Sequence, residues 1–124
     1  MNFVRLFARI IQEIYKLERA MSITFRPMTI EDYPAAYALW QNAEGVGLSS
    51  ADQFESIASY LARNPGISQA AYDKDVLVGV MLCGHDGRRG YIHHLVVADS
   101  HRGQKIGRKL VERGLGQNIF SVLT

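Results

Sequence analysis

The fold is decided by one stretch of the sequence, YIHHLVVADSHRGQKIGRKL, which covers residues 91–110. Its first half is an apolar run rich in β-branched and aromatic residues, which is typical of a buried strand. Its second half holds two glycines, Gly103 and Gly107, at the point where a helix begins. Four cationic side chains surround them, namely Arg102, Lys105, Arg108 and Lys109. The pattern predicts a strand that leads through a basic turn into a helix.

This turn has the features of an anion site. A helix N-terminus presents unpaired backbone N–H groups and the positive end of the helix dipole. Glycine at positions 103 and 107 lets a ligand approach the main chain closely. A nucleic-acid interface is the rival interpretation, but the turn lacks interleaved aromatic residues and the net charge is only +2. We therefore expect a phosphate-bearing small molecule and no nucleic acid.

The segments around this stretch predict the rest of the fold. Residues 22–29 alternate like a short strand, and the pairs Thr29 with Asp32 and Ser50 with Gln53 have the spacing of helix capping boxes. Three β-like runs follow at residues 67–73, 76–84 and 91–98, with connections short enough for antiparallel hairpins. The last helix is predicted over residues 103–115. This order of elements predicts an α+β fold, a mixed sheet with helices on its faces.

The first 20 residues, MNFVRLFARIIQEIYKLERA, predict an amphipathic helix. Large apolar side chains recur on one stripe of that helix, namely Phe3, Leu6, Phe7, Ile10, Ile14 and Leu17. We expect the stripe to pack against protein, in the same chain or across a homodimer. Membrane binding is the competing use, but Glu13 and Glu18 lie on the polar face and no dense Lys/Arg cluster is present. The chain thus divides into an extension, residues 1–20, and a domain, residues 21–124.

Composition limits the class of protein. The 124 residues suffice for one hydrophobic core. The single cysteine, Cys83, lies in an apolar run, so we expect a buried small hydrophobe and a reducing, cytoplasmic location. No apolar run is long enough to cross a bilayer. The four histidines and one cysteine show no recognised zinc-ligand spacing, so we expect no metal.

The stretch GYIHHLVVADSHRGQKIGRKLVERGL resembles the central motif of the GNAT superfamily of acyl-CoA-dependent N-acyltransferases. In that family the strand ends in a Leu-x-Val run, and the turn follows the pattern Arg/Gln-x-x-Gly-x-Gly/Ala. This chain matches the turn at Arg102 and Gly107 and departs from it at Lys105, where the family has glycine. ITFRPMTIEDYPAAYALW and VLVGVMLCGHDGRRG are also similar to family segments, so the resemblance spans residues 21–115.

The resemblance implies acetyl-CoA as cosubstrate. The main chain of Leu95, Val96 and Val97 would pair with the pantetheine amides, and one N–H would stabilise the oxyanion that develops on the thioester. The turn would hold the pyrophosphate through Arg102 and the main-chain amides of residues 103–108, which are Gly103, Gln104, Lys105, Ile106, Gly107 and Arg108. A neutral amine, from a small molecule or a peptide, would attack the thioester directly, which requires a base and an acid.

Three residues of the strand are candidates for this proton chemistry. His93 and His94 are expected on opposite faces of the strand, because side chains alternate, and either imidazole could relay a proton. Tyr91 shares a face with His93 and could border the acceptor amine. Simple packing roles are the competing interpretation for all three residues.

Members of the family normally continue past the motif helix with further strands and a helix that carries a tyrosine acid. Here only GQNIFSVLT remains, of which NIFSVLT is expected as a short strand or a frayed end. We therefore expect a fold that is incomplete at its C-terminus, and weak or absent catalysis by the chain alone. Two functions stay open. One is an N-acetyltransferase, and the other is a non-catalytic module for CoA sensing or for protein interaction and dimerisation.

Overall fold

The computed structural model describes the backbone of residues 2–123 and the side chains of residues 2–18 and 22–116. Four helices and four strands account for most of this part of the chain. In chain order they are α1 (Phe3–Met21), β1 (Ile23–Pro27), α2 (Tyr33–Asn42), α3 (Phe54–Arg63), β2 (Gln69–Asp73), β3 (Val76–His85), β4 (Gly90–Val97) and α4 (Ile106–Leu123). Short 3₁₀ turns at Ile30–Asp32, Ser50–Asp52 and Asp99–His101 precede α2, α3 and the basic turn.

The strands form one sheet in the order β1-β2-β3-β4, and every neighbouring pair is antiparallel. The predicted hairpins are therefore confirmed. Within residues 2–123, β4 is an edge strand, because no described strand pairs with its outer side. The expected α+β fold is present, with helices on both faces of the sheet.

Two hydrophobic clusters cover the two faces of the sheet. On one face α2 and α3 pack around Trp40 and Ile57, against Val80 and Leu82 of β3. On the other face α4 packs through Ile106 and Leu110 against residues that alternate with these along β3, including Met81 and Cys83. Cys83 is the buried small side chain that the sequence predicts, and burial raises the pKa of its thiol. Strand β3 is thus buried on both faces, as its continuous apolar run indicates.

Both predicted helix starts exist, but the second is displaced by one residue. The Thr29 N–H donates to the Asp32 carboxylate at 2.9 Å, which confirms the first capping box. At the second start the Ser49 N–H donates to Asp52 at 2.9 Å, so the cap is Ser49 with Asp52 and the prediction of Ser50 with Gln53 is wrong. A carboxylate is the better acceptor for this N–H because it is charged.

The last helix differs from its prediction at both ends. It begins at Ile106 rather than at residue 103, because Gly103 (φ +80°) and Lys105 (φ +62°) have left-handed backbone conformations that a right-handed helix excludes. It continues to Leu123, so the strand or frayed end expected for NIFSVLT is wrong for the backbone of residues 118–123. Thr124 lies outside the described residues.

The amphipathic helix α1 is present, but it does not cover the sheet within its own chain. All its described side chains, residues 3–18, are exposed, and Phe3 and Phe7 are 80% and 59% accessible. Of the other elements, β1, which follows it directly, contacts it most. Packing of α1 inside the chain is therefore wrong, while packing across a dimer stays a prediction. None of the helices in the described part is both long and apolar enough for a membrane crossing.

Candidate active site

The basic turn between β4 and α4 forms an open cavity of about 350 Å³. It is lined by Val97, His101, Arg102, Gly103, Lys105, Ile106 and Gly107, which are mostly the residues that the sequence assigns to phosphate binding. The Lys109 N–H donates to the Lys105 carbonyl at 3.0 Å, so the N–H groups of residues 106–108 precede the first hydrogen bond of α4. Such N–H groups have no partner within the helix and suit an anion.

The backbone conformation at Lys105 is one that glycine adopts easily, and Lys105 occupies the motif position where the family resemblance predicts glycine. Gly103 adopts φ +80°, and Lys105, at the motif position that is normally glycine, adopts φ +62°. A left-handed conformation is free for glycine and costly for a residue with a Cβ atom. Lys105 therefore keeps the backbone shape of the turn at an energetic cost.

The cationic side chains of the turn are exposed and partly paired. The Arg102 Nε lies 3.1 Å from an oxygen of Asp99, and the Arg108 Nε lies 3.0 Å from an oxygen of Glu112. Exposed ion pairs of this kind contribute little to stability, so both guanidinium groups can move toward a ligand at low cost. Lys109 is directed to the Phe25 ring, 5.8 Å from its centroid.

The turn is fastened to the sheet by a buried histidine. The Nε2 of His101 lies 2.7 Å from Asp73 at the end of β2, and its Nδ1 lies 2.7 Å from the Ser100 hydroxyl. The Ser22 hydroxyl donates to the same Asp73 carboxylate at 2.9 Å. Together, and led by the His101 bond, these bonds lower the pKa of Asp73. The cavity of the basic turn therefore has one wall tied to the end of β2, which is two strands away from β4.

The outer edge of β4 has free backbone groups next to this cavity. The Ala98 N–H donates to the Val78 carbonyl at 2.8 Å, toward β3. Because successive N–H groups of a strand point to alternate sides, the Val97 N–H points to the outer edge. An extended ligand with amide groups could pair there, strand-fashion.

A β-bulge places both histidines of β4 on one face. Leu82 pairs with His93 and Val80 pairs with Val96, so His94 and Leu95 together stand opposite Met81. His94 adopts φ +48°, which rotates its side chain. Rings from the α2–α3 side lie against both imidazoles, with Trp40 at 5.0 Å from His94 and Tyr60 at 6.3 Å from His93. The expectation of opposite faces is therefore wrong, because the bulge interrupts the alternation.

The two histidines border a second, larger cavity between α3 and β4. Its volume is about 650 Å³. Its walls carry apolar groups from Ile57 and Leu82 and ionisable groups from Asp52, Glu55, Tyr60, Arg63, His93 and His94. A cavity of this size, apolar in part and with a few polar groups, is typical of a small-molecule site. The sequence predicted the two histidines and missed the residues that α3 contributes.

His94 makes the closest polar contact in this cavity. Its Nε2 lies 2.7 Å from Oδ1 of Asp52, and the two side chains are 18% and 7% exposed. The other oxygen of Asp52 accepts the Ser49 N–H at 2.9 Å. The pair joins residues 42 positions apart in the chain. The Ser-x-x-Asp spacing at residues 49–52 was the available signal, and it indicated a helix cap rather than a partner for a histidine.

His93 has a different environment, on the exposed side of the cavity. Tyr91 stacks on it with ring centroids 6.2 Å apart, so the predicted common face of these two residues is confirmed. Tyr60 closes the other side, and its hydroxyl is buried without a hydrogen-bond partner among the described residues. Burial raises the pKa of Tyr60 to about 12, which makes that hydroxyl a poor proton donor at neutral pH.

The described side chains contain no cluster of potential metal ligands. No three His, Cys, Asp or Glu residues in that part of the chain are arranged to hold an ion. The residues present fit an organic ligand with phosphates better, since the turn supplies amides and cations and the strand edge supplies a free N–H.

Comparison with solved structures shows a common fold at low sequence identity. Ard1 from Thermoplasma volcanium has a TM-score of 0.68 and 15% identity, over 82% of this chain and 66% of its own. Diaminobutyrate acetyltransferase EctA from Paenibacillus lautus has a TM-score of 0.65 and 18% identity, over 77% of this chain and 58% of its own. The ribosomal-protein-S18-alanine N-acetyltransferase from Escherichia coli has a TM-score of 0.62 and 18% identity, with the same two coverages of 77% and 58%.

This chain thus spans less than two thirds of the length of these relatives in structure. A comparison with curated proteins found no match. The family model described as the acetyltransferase (GNAT) family matches residues 25–117, about three quarters of the chain, from β1 into α4. The matched region contains the bulged strand, the basic turn and the second cavity. The chain therefore belongs to the GNAT family of acetyltransferases.

Proposed function

We propose that the chain binds acetyl-CoA and transfers the acetyl group to a primary amine. The observation that carries this proposal is the order of three features along β4. The cavity with His94 lies beside the bulge, the free edge at Val97 follows it, and the anion turn follows that edge. Three residues of a strand cover about 10 Å, so the reacting group and the phosphates would lie at different points along one extended ligand.

The cosubstrate would bind through main chain more than through side chains. Residues 95–97 would pair with the pantetheine amides along the open edge, and the N–H groups of residues 103–108 would hold the pyrophosphate. Arg102, Lys105 and Arg108 would add charge, with Gln104 between them. Gly107 lines the turn cavity, so a bulky side chain there would compete with a ligand for the space of the cavity, although a Cβ atom alone would make an ordinary contact with Val97 at 3.6 Å.

The acceptor would enter the larger cavity, where His94 serves as the base. The imidazole takes one proton from the ammonium form of the acceptor, and the free amine attacks the thioester carbonyl carbon. A C–N bond forms and the C–S bond breaks. The thiolate of CoA takes the second proton that the nitrogen loses, which gives CoA thiol and the amide. His93 and Tyr91 would form the outer wall that the acceptor passes.

A second candidate function is a non-catalytic GNAT-like module for CoA sensing or for interaction with protein. The exposed apolar stripe of α1 favours it, because such a stripe is typical of an interface. In that case the partner would be a second copy of the chain. For either function we propose a cytoplasmic location and no nucleic-acid partner, because the single cysteine cannot form an internal disulfide and the net charge is only +2.

Calorimetric titration with CoA tests the cosubstrate site without requiring turnover. We expect Gly107→Phe to weaken CoA binding by more than tenfold, which is about 1.4 kcal/mol or more. Gly116→Phe is the matched control, since Gly116 lies on the same helix and a Cβ atom there meets nothing within 4 Å. Equal affinities for the wild type and Gly107→Phe would remove the turn from the site.

Thiol release from acetyl-CoA with a panel of small amines and peptides then separates the two functions. Acetyl transfer predicts release that depends on both the amine and His94. The interaction module predicts concentration-dependent association without CoA-dependent turnover.

A further inference from the structure

We infer that Asp52 is a positioning residue, which holds His94 as the Nε2–H tautomer so that Nδ1 is the atom that takes the proton. The inference deepens the proposed acetyl transfer and rests on it for its kinetic consequence. Its structural content can be measured without turnover.

The hydrogen bonds of Asp52 determine the tautomer. An ionised carboxylate only accepts hydrogen bonds. One oxygen accepts the Ser49 N–H at 2.9 Å, and the other lies 2.7 Å from Nε2 of His94. The Nε2 atom must therefore carry a hydrogen and donate it. A neutral imidazole has one N–H, so Nδ1 keeps the lone pair and is the acceptor of the ring.

The surroundings keep this pair in one arrangement. Asp52 is nearly buried, and a buried carboxylate is stable only with donors, which Ser49 and His94 provide. The Trp40 ring packs against the imidazole at 5.0 Å, which restricts its rotation. His94 also has a left-handed backbone, φ +48°, in the middle of a strand. Strain of this kind persists only where neighbouring contacts over-determine it, and it is concentrated at functional sites.

Substitution of Asp52 by asparagine tests the inference, because an amide cannot accept at both positions. The Ser49 N–H is fixed by the backbone and requires the amide oxygen. The amide NH₂ then faces His94, Nε2 becomes the acceptor, and the hydrogen moves to Nδ1. We expect ¹⁵N NMR at about pH 9, where histidine side chains are neutral, to show Nε2–H for His94 in the wild type and Nδ1–H in Asp52→Asn.

The kinetic expectation is a fall in kcat for thiol release of at least about a hundredfold, with KM changed by less than about threefold. Asp32→Asn is the matched control. Asp32 is the other buried capping-box aspartate, and its carboxylate binds Arg26 rather than a histidine. That variant is expected to lose stability while the His94 resonances and kcat stay as in the wild type.

The outcomes are distinct. An Nδ1–H tautomer in the wild type overturns the inference even if Asp52→Asn does not fold. An unchanged tautomer in Asp52→Asn, or an inverted tautomer with unchanged kcat, also overturns it. Wild-type protein that shows the Nε2–H tautomer and its inversion but acetylates no amine supports the positioning geometry and contradicts the proposed function instead.

Discussion

Three residues other than glycine have left-handed backbones in the described part of the chain, and two of them lie at the site. Lys105 shapes the anion turn, and His94 shapes the bulge in β4, while Lys74 lies in a hairpin turn. Left-handed geometry costs a residue with a Cβ atom roughly 1–2 kcal/mol. The strained residues lie where the backbone directs N–H groups to the cavity of the basic turn and the His94 imidazole to the cavity between α3 and β4.

The cost at Lys105 is measurable. We expect Lys105→Gly to raise the free energy of unfolding by about 1 kcal/mol, because glycine adopts this φ without strain. Urea denaturation would measure the change. The control is Gln104→Gly, the neighbouring position without a positive φ, where glycine brings no relief and should not stabilise the protein. A loss of stability in Lys105→Gly would show that the lysine side chain has contacts that outweigh the strain.

At the scale of elements, close packing positions the turn. Gly79 of β3 lies directly under α4, where an added Cβ atom would stand 3.0 Å from Ile106 and 3.2 Å from Leu110. The first turn of α4 thus sits against the sheet, with its free N–H groups at the end of β4. The His101–Asp73 bond completes the arrangement by joining the turn to β2. The anion cavity is a product of three elements rather than of the turn alone.

The His101–Asp73 bond predicts a pH dependence of stability. The pKa of Asp73 is lowered in the folded state, so its contribution is present above the unfolded-state value of about 4 and is lost as the pH falls through the folded-state value. We expect Asp73→Asn to be less stable than the wild type at pH 7. The difference should begin to shrink below about pH 4, where the Asp73 carboxylate of the unfolded chain becomes protonated, and should go on shrinking as the pH falls through the lower folded-state pKa.

Urea denaturation at pH 7 and at about pH 3 would measure this difference. Asp75→Asn provides the control, because it removes the same charge two residues further along the chain, whereas the bond of His101 goes to Asp73. A gap between the wild type and Asp73→Asn that is equally large at both pH values would exclude the carboxylate as its origin.

At the scale of the whole molecule, the domain and the N-terminal helix are distinct in character. The domain has two well-covered sheet faces, whereas α1 exposes nine large apolar side chains. A shallow groove runs along the surface of α1. It is lined by Leu6, Ile10, Ile14 and Leu17, with Arg9 and Glu13 beside them. One positive and one negative side chain suit self-association better than an anionic membrane surface.

Removal of residues 1–20 should therefore change the assembly more than the fold. We expect the full chain to elute from a sizing column as a concentration-dependent dimer and the truncated chain to elute as a monomer. The melting temperature of the domain should change little, because none of the described side chains of α1, residues 3–18, belongs to either hydrophobic cluster. The same oligomeric state for both chains would make α1 dispensable for assembly. Binding of the full chain, but not of the truncated chain, to lipid vesicles would favour membrane binding as the function of α1.

Local sequence determined most of the elements and the basic turn between β4 and α4. Capping spacing, apolar periodicity and glycine placement act over a few neighbouring residues, so β1, the three hairpin strands and the basic turn were predictable from the chain itself. The same locality explains the family resemblance, whose motif is one strand, one turn and one helix start. The capping box before α3 and the start of α4 were missed because single residues, Asp52 and Lys105, decide them.

Only the tertiary structure decided what surrounds the histidines. A strand pattern assigns alternate residues to opposite faces, but the register slip opposite Met81 puts His93 and His94 on the same face. Asp52 meets His94 because the 3₁₀ turn Ser50–Asp52 lies beside β4, which brings together residues 42 positions apart. Periodicity carries no information on such contacts, since they depend on how elements pack rather than on how each one forms. The sequence therefore determined the scaffold and the basic turn, and the contact of the 3₁₀ turn Ser50–Asp52 with a bulged strand decided the candidate proton chemistry.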